Sequence, residues 1–384
     1  MTTERILRQL LPVRNAFHRL TSTPASIQTT AMLSRSITLV LLLIVACEHL
    51  HAQSPLIKRN LAQRTWPAEI SKVEIPSSDN TLQPAMWYAP ASTTKKPLLV
   101  GLHTWSSTYA SAGGDSIFAE WCIAQGWAFI HPHFRGPNNT PEAMGSDRAV
   151  QDIVEAVAWA KQQTGIDHDR IYLIGGSGGA HMSQLMAGRH PEIWAGVSAW
   201  CGISDINAWH SFHTRSSKPG KYALDIEAAL GGSPATDEVR KSAALKRSPI
   251  TWLHQAQSVP LDIAHGIHDG RLGSVPFTHS LNAYNAVIGK SGPQLREADI
   301  ASYYETQSLP PTWKPAAPDP VYGPWQPKFV SQHQNTRITI FEGAHELIHQ
   351  AALNWLALQR KGQPAVWQVN DFIPLETGGG ETAK

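Results

Sequence analysis

A glycine-rich turn around a single serine carries the strongest chemical signal in this 384-residue chain. Its letters, GGSGG from Gly175 to Gly179, begin at the end of the apolar run RIYLIGG and precede an amphipathic stretch. Strand, sharp turn and helix in that order form the context in which G-x-S-x-G presents a nucleophile. Glycine at both ends of the motif tolerates crowding and a positive φ. The pattern predicts that Ser177 is a nucleophile; the alternative is that Ser177 only caps the following helix.

A serine hydroxyl attacks a carbonyl only when a base takes its proton and a carboxylate orients that base. When the serine lies on such a turn, the three groups come in the chain order Ser, Asp, His, after successive strands. Asp269 follows the apolar run PLDIAHG, and His345 follows TRITIFEG. The sequence therefore predicts a triad of Ser177, Asp269 and His345.

Three other residues compete for the roles of acid and base. Asp262 lies inside its predicted strand, and Asp205 could be the acid if that group came one strand earlier. His349 follows His345 by one helical turn and is predicted to lie on the surface of the closing helix. Asp269 and His345 remain the predicted pair.

The oxyanion of a tetrahedral intermediate needs two hydrogen-bond donors. The backbone N–H of Gly178, at the start of the helix after the serine, is one candidate. The second is expected in the turn GLHTWSS, where Thr104 and Trp105 stand at positions that hydrolases often fill with glycine. Their backbone N–H groups and the hydroxyl of Tyr109 are the alternatives for this second donor.

Strand-like and helix-like runs alternate along the chain, which predicts an α/β fold with a mostly parallel central sheet and helices on both faces. Helical spacing of apolar residues occurs in Ser146–Gln163, His181–Gly188 and Leu347–Leu358. The predicted strands are Lys95–His103, Trp127–Phe134, Arg170–Gly176, Trp194–Gly202, Pro260–Gly266 and Thr336–Gly343.

The chain is predicted to form one large catalytic domain over residues 95–360, flanked by an N-terminal segment at 53–94 and a tail at 361–384. Residues 289–333 read as a Pro- and Trp-rich insertion with little periodicity. Long irregular loops in compact domains are often lids or binding loops. The alternative is a rigid surface segment without a role in binding.

Residues 1–52 read as a leader. The apolar run Ile37–Ala46 is shorter than the roughly 20 residues of a membrane-spanning helix and suits a secretory signal, with Met32 as a possible true start. Cleavage after Ala52 predicts an exported protein, secreted or periplasmic. Cleavage before Cys47 predicts a lipid anchor, the one case in which a membrane is a partner. An uncleaved anchor or a mere core segment is the remaining alternative.

Charge and cysteine content restrict the partners. The formal net charge is +2, and the leader contributes five of the arginines and two of the acidic residues, so the remainder is close to neutral. We expect no nucleic-acid partner, because no basic stripe is visible. Cys122 and Cys201 are either a disulfide or two small buried side chains. No Cys or His spacing indicates zinc, and the predicted chemistry requires no cofactor.

From Lys95 to Leu358 the chain resembles the catalytic domain of the prolyl oligopeptidase (S9) family of α/β-hydrolases. The resemblance rests on PHFRGPNN with Arg135 and Gly136, on DHDRIYLIGGSGG followed by RHPE, and on LKRSPITW followed by PLDIAHGIHDGRLG. It implies the α/β-hydrolase fold, hydrolysis of an acyl bond, and the family's nucleophile, acid and base at Ser177, Asp269 and His345.

The chain departs from that family in three places. Gly178 stands where the peptidases often have Tyr, the segment between acid and base is long, and too few residues precede Lys95 for a β-propeller. The expected function is cleavage of a peptide amide or an ester by a serine hydrolase. An esterase acting on polysaccharide side chains is one alternative, and a non-catalytic binding protein is another. The esterase alternative rests on indoles predicted in loops, which could stack on sugars or fill the core: Trp105, Trp209, Trp313 and Trp325.

Overall fold

The structure is a computed structural model that describes residues 61, 63–92, 94–163 and 165–373. The chain divides into the units Met1–Gln63 and Arg64–Lys384, and every element below lies in the second. The predicted leader, the start at Met32 and processing at Cys47 or Ala52 lie outside the described residues. Within the described ranges no helix is long and apolar enough to cross a bilayer.

The described residues form a nine-stranded sheet in the order β1-β2-β4-β3-β5-β6-β7-β9-β8. Its central strands are parallel, while β1, β2 and β8 pair antiparallel at the two edges. The strands are β1 Ser71–Pro76, β2 Leu82–Tyr88, β3 Lys96–Leu102, β4 Ala128–Pro132, β5 Ile166–Gly176, β6 Gly196–Trp200, β7 Leu261–Gly266, β8 Pro327–His333 and β9 Thr336–Phe341.

Helices cover both faces of this sheet and enclose two large apolar clusters. The sequence predicts α2 well, because Ser146 caps it by accepting from Ala149 N at 3.1 Å and its apolar stripe is buried. The helices are α1 Ser116–Gln125, α2 Asp147–Gln162, α3 Gly178–Arg189, α4 Ile206–His213, α5 Lys221–Leu230, α6 Glu238–Lys246, α7 Thr278–Ile288, α8 Glu297–Thr306 and α9 His349–Leu358.

The predicted fold class is confirmed, and each of the six predicted strands has a counterpart in the parallel part of the sheet. These strands can be predicted from the sequence because they are buried on both faces and are therefore almost continuously apolar. Every residue of β3 and of β4 is buried. The strand predicted over Trp127–Phe134 ends earlier, at Pro132, because Phe134 and Arg135 turn the backbone to positive φ.

Residues 289–333 are more regular than the sequence predicts. They contain α8 and the edge strand β8, which pairs antiparallel with β9. The many prolines in this segment argue against a strand in the sequence. Pro327, however, is the first residue of β8, a position at which proline is tolerated. Phe329 on β8 is buried and stacks on Trp313 at 4.3 Å. The expected irregular insertion therefore completes one edge of the sheet.

At the opposite edge, the segment preceding residue 95 supplies β1 and β2, for which we predicted no element. The two strands form an antiparallel pair, and β2 continues the sheet by pairing with β4. Cys122 and Cys201 are both buried and free. The interpretation as two small buried side chains is therefore confirmed, and the alternative of a disulfide is wrong.

Candidate active site

Ser177 lies at the junction of β5 and α3, with φ 56° and ψ −119°. The turn leaves no room for side chains around it. A Cβ on Gly175 would lie 2.4 Å from the carbonyl carbon of Gly179, and a Cβ on Gly179 would lie 2.1 Å from Leu102 O. The Ser177 side chain makes no capping hydrogen bond to α3, so nothing supports the alternative that it serves as a helix cap.

Asp269 follows β7 and is completely buried. Its Oδ1 accepts from the backbone N–H groups of Gly270 at 2.9 Å and Val275 at 3.1 Å. Its Oδ2 accepts from His345 Nδ1 at 2.5 Å and from His265 Nε2 at 2.9 Å. Burial opposes ionisation, but the adjacent imidazoles and their hydrogen bonds prevail and hold the pKa of Asp269 well below its usual range.

His345 lies in the loop between β9 and α9, with about a quarter of its side chain exposed (23%). Cys201 holds this loop, because its Sγ lies 3.3 Å from Glu346 O and 3.7 Å from Ala344 O. The loop also lies against the serine turn, since a Cβ on Gly176 would meet Leu347 Cδ1 at 3.3 Å. The structure thus brings the predicted acid and base together. The contact between the Ser177 hydroxyl and His345 stays a prediction.

The turn after β3 approaches the start of α3 so closely that Gly178 cannot carry a side chain. A Cβ there would lie 2.4 Å from Trp105 N and 2.5 Å from Trp105 Cα. Asn138 holds the same turn by donating to Trp105 O from its backbone N at 2.9 Å and from Nδ2 at 3.2 Å. The backbone nitrogen of Trp105 therefore lies beside Gly178, and its role as the second oxyanion donor stays a prediction. The hydroxyl of Thr104 pairs with that of Ser107, and the Thr104 N–H stays a predicted alternative.

We expect Gly178→Ala to lower kcat by about 10² to 10³, because the methyl group must push the Trp105 peptide away from the oxyanion position. Steady-state kinetics with a chromogenic ester, together with a thermal melt, measure this. Gly114→Ala is the matched control, since its new methyl would meet its nearest neighbour, His349 Nε2, at an ordinary 3.5 Å. Equal activity of the two variants would remove the Trp105 turn from the site.

The indoles of Trp105 and Trp209 are buried, which confirms for these two the alternative that they fill the core rather than stack on sugars. Trp105 Nε1 donates to Asp225 Oδ2 on α5 at 3.1 Å, and its ring meets the ring of Trp209 edge-on at 4.6 Å. Trp209 lies within α4 and donates to Ser274 O. They fill a small apolar cluster with residues of α4, α5 and α6, because the indole is large and apolar. Trp313 and Trp325 are half-buried.

The competing residues have structural partners. Asp205 caps α4 by accepting from Ala208 N at 3.1 Å. His349 is not on the helix surface as predicted: it is half-buried, and its Nε2 donates to Gly114 O at 2.9 Å. Asp262 is buried and forms an ion pair with Arg337, with Oδ1 2.8 Å from Nε. None of the three contacts His345 among the described residues.

We expect Asp262→Ala to lower the free energy of unfolding by about 3 to 5 kcal/mol, because Arg337 is left buried without its counter-charge. The kcat of the folded enzyme should stay within twofold of wild type. Urea unfolding and active-site-normalised kinetics test both parts. Asp169→Ala, at an exposed position, is the control. A large fall in kcat without loss of stability would make Asp262 a candidate acid again.

One group of potential metal ligands lies beneath the site. Sγ of Cys201, a ring nitrogen of His265 and a carboxylate oxygen of Asp269 lie within 4.8 Å of one another. Burial raises the pKa of the Cys201 thiol well above its usual value, so the thiolate that binds metals is disfavoured. Both Asp269 oxygens already accept two hydrogen bonds. The arrangement suits a hydrogen-bonded support for the carboxylate better than a metal site.

Comparison with known proteins identifies the family of this region. The model of the prolyl oligopeptidase family matches residues 118–300, which include Ser177 and Asp269. This chain carries a hydrolase domain of the prolyl oligopeptidase family. The domain is a serine hydrolase. Its fold resembles that in the solved structure of the acylaminoacyl peptidase of Pyrococcus horikoshii. That likeness has a TM-score of 0.53 at 15% identity, covering 80% of this chain and 44% of the other.

Curated relatives of this hydrolase domain include both peptidases and esterases. Dipeptidyl aminopeptidase BIII of Pseudoxanthomonas mexicana is 26% identical over 241 residues, which are 58% of this chain and 33% of the relative. Acetylxylan esterase A of Aspergillus awamori is 28% identical over 181 residues, 40% of this chain and 58% of the relative. The chain thus spans between a third and three-fifths of the length of these relatives.

Proposed function

We propose that the protein cleaves a carboxylic ester or a peptide amide through an acyl-enzyme formed on Ser177. The observation that carries the proposal is the hydrogen bond from His345 Nδ1 to the buried Asp269, formed in a loop that packs on the strained serine turn. An imidazole held in this tautomer leaves Nε2 free to accept the serine proton. The family match over the same region supports this assignment.

In the proposed reaction, the Ser177 oxygen attacks the carbonyl carbon while its proton passes to His345 Nε2. The negative charge that develops on the carbonyl oxygen is stabilised by the N–H groups of Gly178 and Trp105. Collapse of the intermediate breaks the bond to the leaving alcohol or amine, which takes the proton from His345. Water then attacks the acyl-enzyme by the same steps, with His345 again acting as base.

Labelling with a fluorophosphonate probe tests the nucleophile directly, because the probe forms a covalent bond only with an activated serine. We expect one equivalent of label, located on Ser177 by peptide mass spectrometry and absent after heat denaturation. An unlabelled native protein would favour the alternative of a binding protein that keeps the hydrolase fold without activity.

The class of substrate follows from competing measurements of kcat/KM. The names of the relatives, a dipeptidyl aminopeptidase and acetylxylan esterases, support small amide or acetyl ester substrates. A panel of p-nitrophenyl acetate, aminoacyl-p-nitroanilides and acetylated xylan separates the peptidase from the carbohydrate esterase. Activity on acetylated xylan would favour the esterase. The indoles of Trp105 and Trp209 no longer support this alternative, because both are buried and cannot stack on a sugar.

We also propose that the protein is exported, on the strength of the signal-like run Ile37–Ala46. The intact mass of the protein purified from its native source distinguishes the possible forms. Cleavage after Ala52 gives an unmodified chain, and a lipoprotein carries a diacylglyceryl group on Cys47. A mass that includes the whole leader contradicts both.

A further inference from the structure

His265, the fifth residue of β7, lies directly beneath the acid of the proposed triad. We propose that His265 is a positioning residue. It donates a hydrogen bond from Nε2 to Asp269 Oδ2 and so fixes the position of the oxygen that accepts the hydrogen bond from His345 Nδ1. His265 Nε2 and Asp269 Oδ2 are 2.9 Å apart, and the side chains of these two residues are fully buried. This inference rests on the proposed function, because His265 would affect catalysis through His345, the proposed base.

The surroundings of His265 determine which ring nitrogen carries the proton. Its Nε2 lies 2.9 Å from Asp269 Oδ2 and 3.0 Å from Val275 O, and both atoms are acceptors. Nε2 must therefore be the donor, shared between them. Its Nδ1 lies 2.7 Å from Ser280 Oγ, a hydroxyl that can donate to it. Ser280 at the start of α7 thus supports the tautomer that Asp269 needs.

Both imidazoles donate to the same carboxylate oxygen, Oδ2, while Oδ1 is held by two backbone N–H groups. Rotation of the carboxylate would break several of these bonds, so its plane is fixed. The donor from His265 also draws electron density from Oδ2. Without it, Asp269 would attract the charged form of His345 more strongly, and the base would be lost to protonation at higher pH.

The other titratable groups near His265 are uncharged, so Asp269 remains its charged hydrogen-bond partner. Cys201 packs nearby from the end of β6, and burial raises the pKa of this thiol, which keeps it neutral. His279 of α7 also faces it, and burial lowers the pKa of His279 to about 3. Tyr304 of α8 donates to Gly270 O and remains protonated, since burial raises the pKa of its phenol. The Asp269 carboxylate is therefore the charge that His265 meets.

A matched pair of variants tests the proposal. His265→Asn places an amide near Ser280 but is too short to reach Asp269, whereas His265→Gln extends an N–H donor to the position of Nε2. We expect the acid limb of the kcat/KM profile to move up by about one pH unit in His265→Asn, with kcat reduced about tenfold and KM little changed. In His265→Gln we expect most of the shift to be reversed.

His279→Asn is the control for substituting a buried histidine, because His279 accepts from Ser204 N at 3.3 Å and makes no hydrogen bond to Asp269. Its profile should overlay that of wild type. Equal losses in kcat for His265→Asn and His265→Gln, with unmoved acid limbs, would show that His265 has a purely structural role and would overturn the proposal.

Nuclear magnetic resonance separates this inference from the proposed function, because it does not require turnover. In the Ser177→Ala background, the downfield N–H resonance of His345 should titrate at a higher pH after His265→Asn, whatever the substrate is. In the wild-type protein, ¹⁵N shifts should place the proton of His265 on Nε2. A proton on Nδ1 alone would refute the proposal even if both variants failed to fold.

Discussion

Ser177→Ala should lower kcat by about 10⁶-fold on the best ester or amide substrate, because the residual rate then comes only from binding and from the oxyanion donors. Fluorophosphonate labelling should vanish in the same variant. Stability should change little, since the hydroxyl makes no capping hydrogen bond to α3. Burst kinetics with a chromogenic ester measure the loss, with the protein concentration corrected for folded material by circular dichroism.

Ser211→Ala is the matched control for this experiment. Ser211 is exposed on α4, and its hydroxyl only donates to Asn207 O within the same helix. We expect wild-type kcat and full labelling. If Ser177→Ala loses less than tenfold while the control behaves normally, Ser177 is not the nucleophile and the acyl-enzyme scheme is wrong.

Asp269→Asn should lower kcat by about 10⁴-fold without abolishing folding. The carboxylate accepts four hydrogen bonds, and an amide can accept at one of its two ends only. If the NH₂ group faces His345, the imidazole must move its proton to Nε2, where it can no longer receive the proton of Ser177. If the NH₂ group faces the backbone, the Gly270 and Val275 donors lose their acceptor and the loop is destabilised.

Asp205→Asn tests the other acid considered from the sequence. Asparagine caps a helix as well as aspartate does, so α4 should be unaffected. We expect wild-type kinetics from this variant at every pH. A loss in Asp205→Asn comparable to that in Asp269→Asn would mean that the acid comes from the strand before β7.

The parallel strands and the serine turn could be predicted because each leaves a local pattern. A buried parallel strand is apolar along its whole length, and a turn with no room for side chains requires glycine. The antiparallel strands at the two ends of the sheet were harder to predict. β8 follows several prolines and alternates buried and exposed residues, and β1 and β2 precede the region of family resemblance. These three strands carry a weaker apolar signal because many of their residues are exposed or only half-buried.

Side-chain directions inside the site were not predictable from spacing. For Trp105 the sequence left open whether its indole stacks on a sugar or fills the core, and the structure shows the ring buried against Trp209, with the backbone nitrogen beside Gly178. His265 was missed altogether. The one available sequence signal was its place four residues before Asp269 at the end of the same strand, and nothing local shows that the two side chains meet.

The sequence by itself determined the class of fold and the glycines that the serine turn needs, and it predicted the order of nucleophile, acid and base along the chain. These features depend on local periodicity and on backbone sterics, which neighbouring residues express without help from the rest of the chain. Only the tertiary structure decided that His345 and Asp269 meet, that Trp105 approaches Gly178, and that His265 is hydrogen-bonded to Asp269. Such contacts join residues from different strands, and packing of the whole sheet sets their distances.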